Sequence, residues 1–244
     1  MNLIKKYIFT KIVLSTSLCT SVYASDNEEF IKELLENSAL INRIDIIESK
    51  ILKSRKNIYI DKFASLYNKD ELKEEILENL NDELNDNDVD YLLDWYASQT
   101  AVLIGERKKE NISLEQAQEL ITNPKKFLSD KKRIKVVLEI NDLLHISSFD
   151  YKITNMLFLL KAKQSGRENM TDIEKYYLSK PNELKRKMRN QSLIFLLYKF
   201  RDIENEKLNV YLDFLKTKST NKFFSTYHKT FSNKIDEILE QTIE

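Results

Sequence analysis

Glycine and proline set the first limit on this chain, because it holds only two of each in 244 residues. Tight β-hairpin turns depend on glycine, or on Asn-Gly and Asp-Gly pairs, to supply positive φ without strain. Neither Gly105 nor Gly166 follows an Asn or Asp, so a meander of hairpins has almost nothing to turn on. A glycine-rich loop that wraps a phosphate cannot be built either. With abundant Leu, Lys, Glu and Ile, the backbone is left to satisfy its hydrogen bonds within helices. The expected class is all-α.

Polar residues mark where those helices start. Ser25-Asp26-Asn27-Glu28, Ser113-Leu114-Glu115-Gln116 and Thr171-Asp172-Ile173-Glu174 each have the form of a capping box. From Ser25 the spacing predicts a helix with Phe30, Leu34, Ile41, Ile44, Ile47 and Ile51 in register. Residues 57–67 form a second, with Ile60, Phe63 and Tyr67 on one face. Asn68 opens a third, carrying Leu72, Ile76, Leu80 and Leu84. Pro181 starts another with Leu184, Met188, Leu193 and Leu197 inward. In the last helix Phe224, Tyr227, Phe231, Ile235 and Ile238 make one stripe, which predicts that it docks on the bundle. The apolar run from Ile134 to Leu160 is broken by Asp142, His145, Ser147, Ser148, Asp150 and Lys152, so it reads as core and not as a membrane span.

The stretch Asp88 to Ile104 reads as a central helix. Val89, Leu92, Leu93, Tyr96, Thr100 and Leu103 form one stripe, and Tyr91, Trp95 and Val102 a second. It also holds the only Trp of the chain. A shift of 119 positions lays it on Lys207 to Phe223, pairing Leu93 with Leu212, Asp94 with Asp213, Trp95 with Phe214 and Ser98 with Thr217. This pairing fits an internal duplication, giving a multi-helix bundle of two related halves, residues 25–123 and 131–244. Asn123-Pro124 ends a helix, so residues 124–130 are the expected hinge between the halves.

The segments Leu93-Asp94-Trp95-Tyr96-Ala97-Ser98 and Leu212-Asp213-Phe214-Leu215-Lys216-Thr217 each come after an acidic helix start. In this they resemble the exported bacterial helical family known as domain of unknown function 2059. Its pattern runs from an acidic start through Leu, an acid or small residue and Phe-Tyr to Ser-Pro-x-Gly. Here Gln99 and Lys218 stand in place of the Pro, and Ala101 and Thr220 in place of the Gly. The resemblance covers about twenty residues in each half. It implies an exported helical bundle and no assigned activity.

Residues 1–24 have the form of a secretory signal peptide. Lys5, Lys6 and Lys11 make the basic start, Ile12 to Cys19 the apolar run, and Val22-Tyr23-Ala24 the cleavage site. The apolar run is too short to span a bilayer, so no transmembrane segment is expected in the mature chain. The whole chain has 39 basic and 39 acidic side chains, and loss of the three lysines leaves 36 against 39. The single cysteine leaves with the leader, so no disulfide is expected in the periplasmic or secreted protein. Interspersed charges near balance argue against a nucleic-acid partner.

Candidate chemistry is sparse. Neither His145 nor His228 has a second His or a carboxylate at i+4, so no helix-borne zinc motif exists and no metal site is expected. No nucleophile sits in a glycine-flanked elbow, and no enzyme or cofactor is expected. The pairs Asp94/Ser98 and Asp213/Thr217, at i and i+4, would put a carboxylate and a hydroxyl on one helix face. They are the candidate ligand or partner residues. The expected function is a non-enzymatic protein of the bacterial cell envelope that binds an envelope protein or supports envelope structure. The alternative is a bundle that holds a small molecule or lipid between its halves. If the leader is removed as read, N-terminal sequencing of the extracytoplasmic protein begins at Ser25; a retained N-terminus would exclude it.

Overall fold

Side-chain caps decide where most of the helices begin. Asn57, Asn68, Asn85, Ser98, Ser113, Asp130, Thr171 and Thr217 each accept from a backbone N–H of the first helical turn. Such caps are each worth about 0.5–2 kcal/mol. The computed structural model describes residues 22–53, 57–110, 112–166 and 170–244. Among them it is 84% helical, with thirteen α-helices and no strand.

The first six are α1 Val22–Asn37, α2 Ile41–Lys53, α3 Ile58–Leu66, α4 Lys69–Glu83, α5 Asp86–Tyr96 and α6 Gln99–Lys109. Next come α7 Leu114–Thr122 and a 3-10 turn, Pro124–Lys126. The last six are α8 Lys131–Leu143, α9 Ile146–Ser165, α10 Asp172–Ser179, α11 Pro181–Lys199, α12 Asn205–Leu215 and α13 Lys218–Ile243.

The two sets of six correspond in order and in packing partners. In the first set, α1 packs on α4 and α5, and α2 on α3 and α4; in the second, α8 packs on α11 and α12, and α9 on α10 and α11. The turns α1–α2 and α8–α9 each contain a non-glycine residue in the left-handed region, Ala39 at φ 61° and His145 at φ 51°. No other described non-glycine residue has positive φ. Both bounds of α5 fall on those of α12 under the shift of 119 positions, and so do the first residues of α6 and α13.

The sixth helices cross over. α13 lies along α3, α4 and α5 of the first set, while α6 packs on α12 and α7 on α11 of the second. A single hydrophobic core results, drawing buried residues from Ile31 to Ile238 and continuing past residues 124–130. Phe127 adds to it from that connection, edge-on to Tyr198 at 5.8 Å.

α13 is the longest of the described helices, and one face of it is buried along most of its length. Phe223, Phe224, Tyr227, Phe231, Ile235 and Ile238 are all at most 3% exposed, as its stripe predicts. Next to one another on it, Tyr227 and His228 reach the two left-handed turns. The Tyr227 hydroxyl donates to the Leu40 carbonyl at 3.0 Å, and His228 Nε2 lies 3.0 Å from the Leu144 carbonyl.

Three expectations are corrected. The helix read from Ser25 to Ile51 is two helices, because the chain turns through Ser38, Ala39 and buried Leu40; α1 also begins at Val22, so Ser25 does not cap it. Phe30 is 44% exposed, and Ile31 takes the inward place. The stretch read as one central helix, Asp88 to Ile104, ends at Tyr96 and restarts at Gln99, and its second copy breaks the same way after Leu215. Residues 1–21, with most of the expected leader, lie outside the described residues.

Removing the Tyr227 hydroxyl would leave the Leu40 carbonyl with only the Arg43 amide, which donates to it at 3.0 Å. Tyr227→Phe is therefore expected to cost about 0.5–1.5 kcal/mol, the net worth of one hydrogen bond, in urea unfolding with unchanged helix content; a neutral result would show that the tie is dispensable.

Candidate functional site

The site is built where α5 meets α12. Asn85 and Asp88 form a capping box that starts α5, and Asp88 is also held from α13. Ser219 Oγ donates to Asp88 at 2.5 Å and Lys222 Nζ at 3.0 Å. These donors, Ser219 foremost, lower the Asp88 pKa against the opposing effect of its burial. With its start pinned, α5 presents Trp95 to Phe214 of α12. The rings stack at 4.2 Å between centroids and 10° between planes. Tyr211 stacks on Trp95 at 6.0 Å, Tyr91 on Phe214 at 6.0 Å, and Tyr96 meets Phe214 edge-on at 6.1 Å. Each such pair adds about 0.5–1.5 kcal/mol beyond burial.

The two stacked rings are the residues that the 119-position shift pairs. Phe214 is buried at 3% exposure, whereas Trp95 is half-buried at the edge of the core. One turn before each ring stands an exposed apolar residue, Tyr91 at 42% and Val210 at 49%, and Val102 on α6 is 51% exposed. The second stripe expected of the central helix is thus directed outward at both ends instead of into the core.

The four candidate residues divide by type. Asp94 and Asp213 are exposed, beside Trp95 and Phe214 in sequence, and their carboxylates make no hydrogen bond or ion pair among the described residues. Ser98 accepts from the Ala101 amide at 3.2 Å; Thr217 accepts from that of Thr220 at 3.4 Å and donates to the Phe214 carbonyl at 2.9 Å. The carboxylate–hydroxyl pairing fails for a local reason. Each hydroxyl caps the next helix, so Asp94 and Ser98, like Asp213 and Thr217, do not share a helix face. Asp94 and Asp213 remain as an acidic edge to the aromatic seam.

The histidines meet elsewhere. His145 and His228 lie 4.6 Å apart between ring centroids, with Arg43 of α2 beside them. Arg43 Nη1 donates to the Leu144 carbonyl at 3.0 Å. That carbonyl can only accept, which places a proton on His228 Nε2. Leu144 ends α8, so two donors there also suit the negative end of the helix dipole. Burial foremost, then the positive charge of Arg43, lowers the His228 pKa from 6.5 to about 2 and also lowers that of His145. Neither ring is hydrogen-bonded to a hydroxyl among the described residues. This cluster clamps the α8–α9 turn through the Leu144 carbonyl.

A second partly buried cation lies on α6. Lys108 donates to the Tyr211 hydroxyl at 3.3 Å, and burial, with Arg43 and Lys199 nearby, lowers its pKa to about 7. No group of three or more His, Cys, Asp and Glu able to hold a metal occurs among the described residues, and no described helix is long and apolar enough to cross a membrane.

Nothing in the sequence singles out Arg43 or Lys108, which lie in ordinary amphipathic helices. The Trp95–Phe214 stack did leave a signal, since the two rings occupy matched positions. No family model, curated protein or solved structure matches this chain.

Because His228 is held neutral, its contribution to stability is complete above pH 6.5 and is lost as pH falls from there towards about 2. His228→Gln keeps a donor for Leu144 without the titration. Between pH 6.5 and 4.5 the wild type should lose on the order of 1–2 kcal/mol more than this variant in urea melts. Parallel losses would assign the acid sensitivity to other groups.

Proposed function

We propose that this chain is a non-enzymatic helical protein of the bacterial cell envelope that binds a protein partner through the α5–α12 seam. One observation carries the reading. The only Trp is half-buried in an aromatic stack whose outer ring, Tyr91, is exposed, as is Val210 one turn before Phe214. Aromatic anchors that are fixed from behind and open in front are the usual centre of a protein interface. Asp94 and Asp213 border the anchors, so the matching surface presents an apolar group flanked by basic side chains. The same reading places the protein outside the cytoplasm, on the leader-like start and the resemblance to exported helical proteins. It also takes the two helix sets as an internal duplication, supported by their matched order, turns and caps.

The test is capture from envelope extract by wild type and by Tyr91→Asp with Val210→Asp. Both positions are exposed, so the double variant should keep its melting temperature within a few degrees. A partner seated on the seam should lose at least about thirtyfold in affinity, as expected when hot-spot contacts worth about 2 kcal/mol or more are removed. Unchanged capture would place the partner elsewhere and refute the role of the seam.

A further inference from the structure

A second surface lies on α10 and the start of α11; α10 carries Asp172 and Glu174 beside Ile173, with Glu174 paired to Lys161, and the start of α11 is basic. Between Lys180 and Arg189 five cations stand against one acid, Glu183, in a chain whose totals balance. Arg186 is paired with Glu183 and Arg189 with Asp142. Lys180, Lys185 and Lys187 have no carboxylate partner among the described residues. Each stands over a tyrosine ring instead: Lys180 over Tyr176 at 5.0 Å, Lys185 over Tyr151 at 5.0 Å and Lys187 over Tyr177 at 4.6 Å. Cation–π contact orients an ammonium while leaving its charge uncompensated.

Apolar groups are exposed on α10, beside these lysines. Ile173 is 64% exposed and Tyr176, one turn on, is 43% exposed. Tyr176 and Tyr177 pack edge-on at 5.3 Å and line an open cleft of about 440 Å³ together with Arg186 and Lys187. On the other side of Arg186 a cleft of about 530 Å³ is lined by Tyr151, Lys185 and Arg189. An exposed Ile, tyrosines at the boundary and uncompensated lysines around them make the combination that interfacial protein segments use on lipid. The apolar residues enter the headgroup region, the tyrosines sit at its level, and the ammonium groups meet lipid phosphates. Charge complementarity selects an anionic surface, and the exposed Ile173 distinguishes a bilayer from a dissolved polyanion.

We propose that the α10–α11 face docks on an anionic phospholipid membrane, with Ile173 and Tyr176 entering the interface and Lys180, Lys185 and Lys187 facing the phosphates. This contact is peripheral and is independent of the α5–α12 seam. The protein as isolated is sedimented with vesicles of equal parts phosphatidylglycerol and phosphatidylcholine, and with phosphatidylcholine alone. Binding is expected on the anionic vesicles, weakened by salt, and near background on the neutral ones. Each lysine near such a surface contributes about a fivefold factor, so Lys180→Glu with Lys187→Glu should lower the partition by more than about tenfold. Ile173→Asp should lower it independently of salt, and Tyr91→Asp with Val210→Asp should leave it unchanged. Equal binding to neutral vesicles, or insensitivity to the α10–α11 variants, would overturn the proposal. So would binding confined to heparin or an acidic peptide, which would make the face a site for soluble polyanions.

Discussion

Two neighbouring side chains on α13 hold the bundle together. Helical geometry places consecutive residues about 100° apart around the axis, so Tyr227 and His228 point to different sides and reach different halves. Tyr227 satisfies the buried Leu40 carbonyl behind the α1–α2 turn, and His228 the Leu144 carbonyl behind the α8–α9 turn. Both turns rest on a non-glycine residue with positive φ, a conformation that persists only where its surroundings enforce it. The aromatic and aliphatic stripe of α13 supplies that enforcement by filling the space between the two helix sets. Arg43 completes the arrangement by donating to the same carbonyl as His228. Its charge, with burial, keeps both histidines neutral.

Much of this fold was legible because it rests on local chemistry. The scarcity of Gly and Pro points to helices, and the polar residues at Asn57, Asn68, Ser113 and Thr171 mark helix starts that the structure bears out. The stripe of α13 was legible as well, since Phe224, Tyr227 and Phe231 keep their spacing whatever they pack against. The breaks at Ala39 and at Ala97 were not. Neither position carries Gly or Pro, and a left-handed Ala is chosen by tertiary contacts such as the burial of Leu40. Ser98 and Thr217 illustrate the ambiguity best. A hydroxyl inside an apolar pattern reads equally as a surface residue of a continuing helix or as the cap of a new one, and only the packing of the next helix decides.

The candidate site was legible in part for the same reason. Aligning the two copies picked out Trp95 and Phe214, but periodicity along one helix cannot report that two such residues face each other. The outward tilt of Tyr91 and Val210 depends on how α5 and α12 cross. The lysine–tyrosine pairs on α10 and α11 lie further still from what a pattern can reveal. Tyr151 and Lys185 are separated by the whole of α10, and become neighbours only because α9 and α11 pack side by side.

The exchange of the sixth helices bears on the order of events during synthesis. α13 is translated after every other helix described, yet it covers α3 and α4, which are among the earliest. Until it emerges, the first helix set has an open groove lined by Phe63, Leu72, Ile76 and Leu80. The core of the first helix set is thus completed by a helix that follows the whole second set in sequence, where the usual course has an N-terminal part close on its own.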